Sequence, residues 1–340
     1  MGRCEMVWTT AGTNRVCSRC LALKDTIVGY TDESGVTLPP LHPRCRCAII
    51  YDEVAEPRRI DTKPKSPLGD RNYDSEFAKT IGKDHYDKIR DIVENTKNVK
   101  AAQVWAKCEK QIVIKPPDRR ICPAYHSGGV VHLDIAEVAM GSSYNTAYET
   151  LFHETGHLID FGKGASWSIY FAQDYKNGAF LKAVKADFKK LVTAKKAQLQ
   201  VELEEKVATG DIKWLYNHEY ISYTDYRRGK LPKAAKVKVA HAYAALEEEL
   251  TSAYSAIERA NFSDVFSGYT SGKYCLGYGH SQKYWKEQGD FARSTEAFAE
   301  FFSAAIANPQ SYEILKTHLP TAEKVFDELL DDFDRLNWRH

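Results

Sequence analysis

Residues 149–163 read ETLFHETGHLIDFGK. Leu151, Phe152, Thr155, Leu158 and Ile159 recur at spacings of three and four, the period of a helix with one face in a core. His153 and His157 stand four apart on that helix, so their imidazoles lie on one face and can share one zinc ion. Glu154 follows the first histidine and leans over the open side of such a metal, where a carboxylate can hold a water and take its proton. The competing reading is a pair of buried or capping histidines on an ordinary helix. In a stretch this apolar an unpaired imidazole carries a desolvation cost that metal ligation removes.

Two histidines do not complete a catalytic zinc site, which takes three protein ligands and leaves one position to water. The metzincin pattern requires glycine at 160 and histidine at 163; Asp160 and Lys163 stand there, and that class is excluded. Downstream, STEAFAEFF at 294–302 sets Glu296 and Glu300 four apart among Phe298, Phe301 and Phe302. Carboxylates on a helix whose phenylalanines seek a core are destabilising unless paired or bound to a cation. One of the two can ligate the metal while the other accepts a hydrogen bond from a ligand histidine. The alternative is a half-exposed helix with both carboxylates in water.

HETGH followed far downstream by TEAFAEFF resembles the gluzincin metallopeptidases, in particular the group containing the anthrax lethal factor catalytic domain, over about residues 110–310. The resemblance implies Glu296 as third zinc ligand, Glu300 as the support of a ligand histidine, and Glu154 as general base. It also implies a tyrosine shortly before the glutamate helix that stabilises the tetrahedral intermediate. The position seven residues before Glu296 is Gly289, so the tyrosines on offer are Tyr284, which we prefer, and Tyr278. The sequence GVVHLDI at 129–135 reads as a strand. In this group an edge strand beside the cleft pairs with the extended substrate, a role that falls to Gly129, Val130, Val131 and His132. His132 itself reads as a surface histidine, and His280 as a residue lining the cleft rather than a ligand.

The expected fold is therefore α+β: a mainly helical, zincin-like domain with a small antiparallel or mixed sheet. Helical patterns run over about 73–105, 179–206, 233–260 and 294–307, and again over 321–336; a further short strand is expected at 111–116. Asn308-Pro309 stops the glutamate helix. The highly charged 179–206 segment reads as a helix with a solvated face. Residues of about 165–275 form a long helical insertion in a domain spanning 73–340. Residues 53–72, with three prolines and seven charges before Gly69, read as a linker. A net charge of +1, from 47 basic and 46 acidic residues, excludes a globally basic nucleic-acid binder. No run of 18 apolar residues is present, so no membrane partner is expected, and the first twenty residues have no apolar leader segment.

Five of the eight cysteines fall in the first 47 residues. A module of 1–52 is too small to be secure without a staple. Cys17 and Cys20 form a C-x2-C knuckle facing His42, Cys45 and Cys47, and four of these five can hold a second, structural zinc. Two cystines, or simply reduced thiols, are the alternatives. The order W-T-x-A, R-V-C-x-x-C, L-P-P-x-H-P-x-C-R-C over residues 8–50 resembles the signature of tailed-phage minor head proteins, the Mu F-like and head-morphogenesis family. Its members are associated with the portal, and some carry enzymatic cargo after the signature. The chain starts a few residues before the signature, without the family's long helical N-terminal region. That resemblance implies portal or head proteins as partners, and the virion or the host cytoplasm as location. The expected function is a zinc endopeptidase of a phage or prophage particle acting on a protein or peptide. Two other readings stand beside it: an inert structural head protein, and a zinc-stabilised head component that contacts DNA through Arg15, Arg19, Arg44 and Arg46.

Overall fold

A computed structural model describes residues 4–10, 26–30, 47–53, 68–118, 123–163, 170–232 and 235–335. The chain divides into two units, residues 1–64 and 65–340. In the first, β1 (Cys4–Thr10) is the centre of an antiparallel sheet between β2 (Thr26–Tyr30) and β3 (Cys47–Glu53). It pairs Thr10 with Cys47 at one end and Cys4 with Glu53 at the other. Cys17, Cys20, His42 and Cys45, the residues of the expected structural zinc site, lie outside the described residues with the four arginines.

The second unit is mainly helical, with one small mixed sheet. It opens on α1 (Glu76–Ile81), α2 (Lys83–Asn95) and α3 (Val99–Cys108). The end of the expected linker belongs to this unit: Arg71 pairs with Asp87, Asp91 and Glu94 of α2, and the Gly69 carbonyl accepts from the buried Arg90. Three short strands follow, β4 (Ile114–Lys115), β5 (Tyr125–Ser127) and β6 (Val130–His132).

Here the structure corrects the reading of residues 129–132. The strand β6 is central, parallel to β4 on one side and antiparallel to β5 on the other, so its backbone is already paired and cannot receive a substrate strand. Gly128 and Gly129, at φ +57° and +82°, form the two-residue hairpin turn between β5 and β6, where positive φ at both positions favours glycine. His132 stacks on Tyr125 at 4.6 Å and its Nδ1 lies 3.3 Å from the Pro116 carbonyl. Leu133 is buried, and Asp134 caps α4 (Ile135–Met140), ending the expected strand early.

The helix α5 (Glu149–Lys163) is the centre of the unit. Leu151, Phe152, Thr155, Leu158 and Ile159 are all buried, as their spacing requires, and Glu154 and Asp160 are buried with them. Asp160, where a metzincin has glycine, accepts from the Ala172 N–H at 2.6 Å and so holds α6 (Phe171–Asp174). Next come α7 (Ala179–Ala208), α8 (Ile212–Asn217), α9 (Tyr223–Arg227) and α10 (Val239–Ala253). This arm keeps two small apolar clusters of its own, Val192 with Ala242 and Leu246, and Leu203 with Leu215 and Val237.

The helix expected over 233–260 is instead two helices. Tyr254 is extended and Ser255 begins α11 (Ala256–Tyr269) with a capping box, its hydroxyl accepting from Glu258 N–H while the Glu258 carboxylate accepts from Ser255 N–H. The glutamate helix α12 starts twelve residues earlier than expected, spanning Gln282–Ala307 with a kink at Gly289 (φ 61°, ψ −138°). Asn308 ends it and caps α13 (Pro309–His318), and α14 (Pro320–Arg335) closes the chain. Among the described residues no helix is long and apolar enough to cross a membrane.

Candidate metal centre

Helices α5 and α12 cross at Gly156. A Cβ there would lie 3.1 Å from Ala299 Cα and 3.5 Å from Phe302 Cβ, so the glycine inside HETGH is what lets the two backbones approach. Glu149, at the start of α5, accepts from Asn308 Nδ2 at the end of α12, at 3.2 Å to each carboxylate oxygen, and ties the helices a second time. With the crossing set, His153 and His157, three residues before and one after Gly156, face Glu296 and Glu300, three before and one after Ala299. The histidines and glutamates expected to meet do so.

His153 Nε2 and His157 Nε2 are 3.1 Å apart, and Glu296 Oε2 is 3.3 Å from the first and 3.2 Å from the second. The edge of a tetrahedron drawn at ordinary zinc–nitrogen and zinc–oxygen distances is about 3.3 Å. The three atoms thus have the chemistry and the spacing of a three-ligand metal site. Burial alone would push the His153 imidazolium down, but the Glu300 and Glu296 carboxylates outweigh it and hold it well above its ordinary value. Burial opposes ionisation of Glu296 too, yet the two histidines hold its carboxyl well below the usual range. The site is charged and closely packed, and a divalent cation suits it.

Glu300 Oε1 lies 3.5 Å from His153 Nδ1, the limit of a hydrogen bond, while Oε2 accepts from Asn261 Nδ2 at 2.7 Å. This places Glu300 on the Nδ1 side of the His153 ring, where a carboxylate can orient an imidazole. Glu154 is 7% exposed, lines the same cavity as His153 and has no hydrogen-bond partner among the described residues. Burial raises its affinity for a proton, against the pull of His153 and His157.

Twelve helical residues would separate Tyr284 and Glu296 by about 18 Å along a straight axis. The kink at Gly289, a backbone conformation that favours glycine, folds the first segment of α12 back, and the Tyr284 hydroxyl donates to Glu296 Oε1. Burial, then Glu296, push this phenol's pKa up. The glycine at the position where the resemblance places a tyrosine is therefore the device that returns Tyr284 to the site. Tyr278 is farther round the wall, its ring 5.5 Å from that of Tyr144.

Two contributors were not foreseen as a pair. His280 Nδ1 lies 3.0 Å from Asp264 Oδ1, its ring stacks on Tyr284 at 4.3 Å, and its Nε2 is 3.8 Å from Glu296 Oε1. Burial works against its charge, but Asp264 raises its pKa to about 9. Gly279, at φ +147°, lets this loop lie on α11: a Cβ there would come within 2.9 Å of Asp264 Oδ1. The signal in the sequence was Asn261 and Asp264 one turn apart on an apolar helix, where buried polar groups need a partner.

Comparison with protein-family models, with curated proteins and with solved structures returned no match for this chain.

Proposed function

We propose that this protein is a zinc-dependent endopeptidase whose metal is held by His153, His157 and Glu296. One observation carries the reading. An unbonded, buried carboxylate, Glu154, stands beside three converging ligand atoms, a group that a purely structural metal site has no need of.

Zinc bound there supplies Lewis acidity to the scissile carbonyl and to the attacking water. The other parts belong to the chain. Glu154 takes the proton of the attacking water as its oxygen adds to the carbonyl carbon, and delivers that proton to the departing amide nitrogen as the C–N bond breaks. Its environment suits both tasks, because burial keeps its proton affinity closer to neutrality than that of an exposed carboxylate. Tyr284 and His280 stand as donors beside Glu296 Oε1, close enough to the metal position to meet the oxygen that gains negative charge. Asp264 fixes the His280 ring. Glu300 and Asn261 hold His153. The reading is tested by zinc content measured beside cleavage of a diverse peptide library, with and without a chelator. Bound zinc with no cleavage of any peptide would leave the inert structural reading in its place.

Tyr284→Phe removes one oxyanion donor and is expected to lower turnover on the order of 10²–10³-fold. Zinc content should stay near one equivalent at this site, because the phenol contacts Glu296 rather than the metal position. Tyr278→Phe should change turnover far less; the reverse ranking would transfer the role to Tyr278.

The Cys/His pattern of residues 8–50 supports a place for this peptidase on or within a phage or prophage particle, with portal or head proteins as partners. A second zinc at Cys17, Cys20 and two of His42, Cys45 and Cys47 is part of the same reading. Cys17→Ser should then lower total zinc from two per chain to one and leave peptide cleavage intact, with faster proteolysis of residues 1–50. Unchanged zinc and unchanged proteolysis would assign these residues to cystines or free thiols.

A further inference from the structure

We propose that Trp285 is a positioning residue for the reaction: its indole, seated on one face of α11, holds the Tyr284 phenol at the metal position. This rests on the peptidase reading above and on the role that reading gives to Tyr284.

The first segment of α12 has little else to hold it. From Ser281 to Asp290, Trp285 is the one buried residue, at 1% exposed; Tyr284 and Gly289 are half-buried and the rest are exposed. The kink at Gly289 breaks the helical course between this segment and the buried part of α12, so α12 itself does not fix where the phenol points. A helix of about two turns is marginal in water and takes its position from packing.

That packing is specific. Asp264, Ser267 and Gly268 lie three and four apart on α11 and so share one face. Ser267 is fully buried; its hydroxyl accepts from the indole N–H at 3.1 Å and donates to the His280 carbonyl at 3.4 Å. Gly268 makes room for the ring, since a Cβ there would lie 3.1–3.3 Å from three carbons of the indole. Asp264 accepts the His280 backbone N–H at 2.7 Å as well as facing its ring. One helix face thus holds both ends of the turn from His280 to Trp285. Tyr284, between them, stacks on His280 and meets the Trp285 ring edge-on at 5.2 Å. A tryptophan combines a large buried surface with one directed donor, so it sets both the depth and the rotation of the segment.

The test places Trp285→Phe in two backgrounds, wild type and Tyr284→Phe, using zinc-loaded full-length protein and a peptide that the wild type cleaves. Phenylalanine fills part of the seat and lacks the N–H, so the phenol is displaced without being removed. A shift on the order of 1 Å should lower kcat about 10–100-fold in the wild-type background, with zinc content and KM within about twofold. In the Tyr284→Phe background there is no phenol to misplace, and the same substitution should cost less than about threefold. Rates are read well below each thermal midpoint, so that loss of folded protein does not count as loss of turnover. Gly268→Ala keeps the indole but lifts it from its seat; it should repeat the pattern, and it replaces Trp285→Phe if that protein does not fold. Equal costs in the two backgrounds, or wild-type turnover in Trp285→Phe, overturn the positioning role and leave the peptidase reading standing. A zinc-loaded wild type that cleaves no peptide overturns both.

Discussion

Glu154→Gln is expected to keep its zinc and lose on the order of 10³–10⁴ in turnover, the upper range for removal of a general base. Glutamine has the same shape and hydrogen-bonding reach but takes no proton near neutral pH. The atoms that converge as a possible metal site are Nε2 of His153, Nε2 of His157 and Oε2 of Glu296, and Glu154 is not among them. Metal binding and chemistry therefore separate at this residue. Fold stability should hold or rise slightly, because Glu154 is 7% exposed and unbonded, so an ionised side chain there is a liability that the neutral amide lacks. The comparison is zinc per chain, thermal midpoint and initial cleavage rate for both proteins on the same peptide library. Wild-type rates in the variant would remove Glu154 from the chemistry and with it the mechanism above.

Glu296→Ala should lose metal and activity together. Two imidazoles 3.1 Å apart on one helix make a weak site, and the carboxylate that meets them, Glu296, comes from α12, 139 residues downstream of His157. Loss of a charged ligand from a three-ligand zinc site should lower affinity on the order of 10³-fold or more, above the 10–100-fold typical of outer partners. Calorimetric titration with zinc into the metal-free protein measures it directly, and cleavage at saturating zinc shows whether turnover follows. The metal-free variant should also respond differently to pH. Without the Glu296 carboxylate, burial of the His153 ring meets less opposition, so its charged form is less favoured and its pKa falls from the raised value. Zinc affinity equal to wild type would place the third ligand elsewhere, with the Asp264–His280 pair as the nearest alternative donors.

The HETGH helix was legible because two constraints coincide on it. A core-facing period and a ligand spacing both follow from 3.6 residues per turn, so Leu151, Phe152 and Ile159 place the helix and His153 and His157 place the ligands. Glu296 and Glu300 were legible for a similar reason, as acids among phenylalanines on a helix that had to be buried. The strand at 129–132 was misassigned in role because alternation marks a strand but says nothing of its neighbours. The Gly128-Gly129 turn, which joins β5 to β6 and makes β6 central, was the overlooked signal. The break at Ser255 was likewise written in the chain as S-x-x-E, hidden inside a continuous helical pattern.

What the sequence by itself determined is the set of histidines and carboxylates that come together as a possible metal site, and the helices that carry them. These follow from local periodicity and from the cost of burying charge. Only the tertiary structure decided which groups meet. Gly156 sets how closely α5 and α12 cross, Gly289 turns Tyr284 back by a distance no straight helix covers, and Gly279 seats the His280 loop on Asp264. Each of these is a contact between residues distant along the chain, or across a kink, made possible by a missing side chain or by a backbone angle that other residues disfavour. A missing side chain leaves no mark in hydrophobic pattern, so its consequence appears only when the chain is folded.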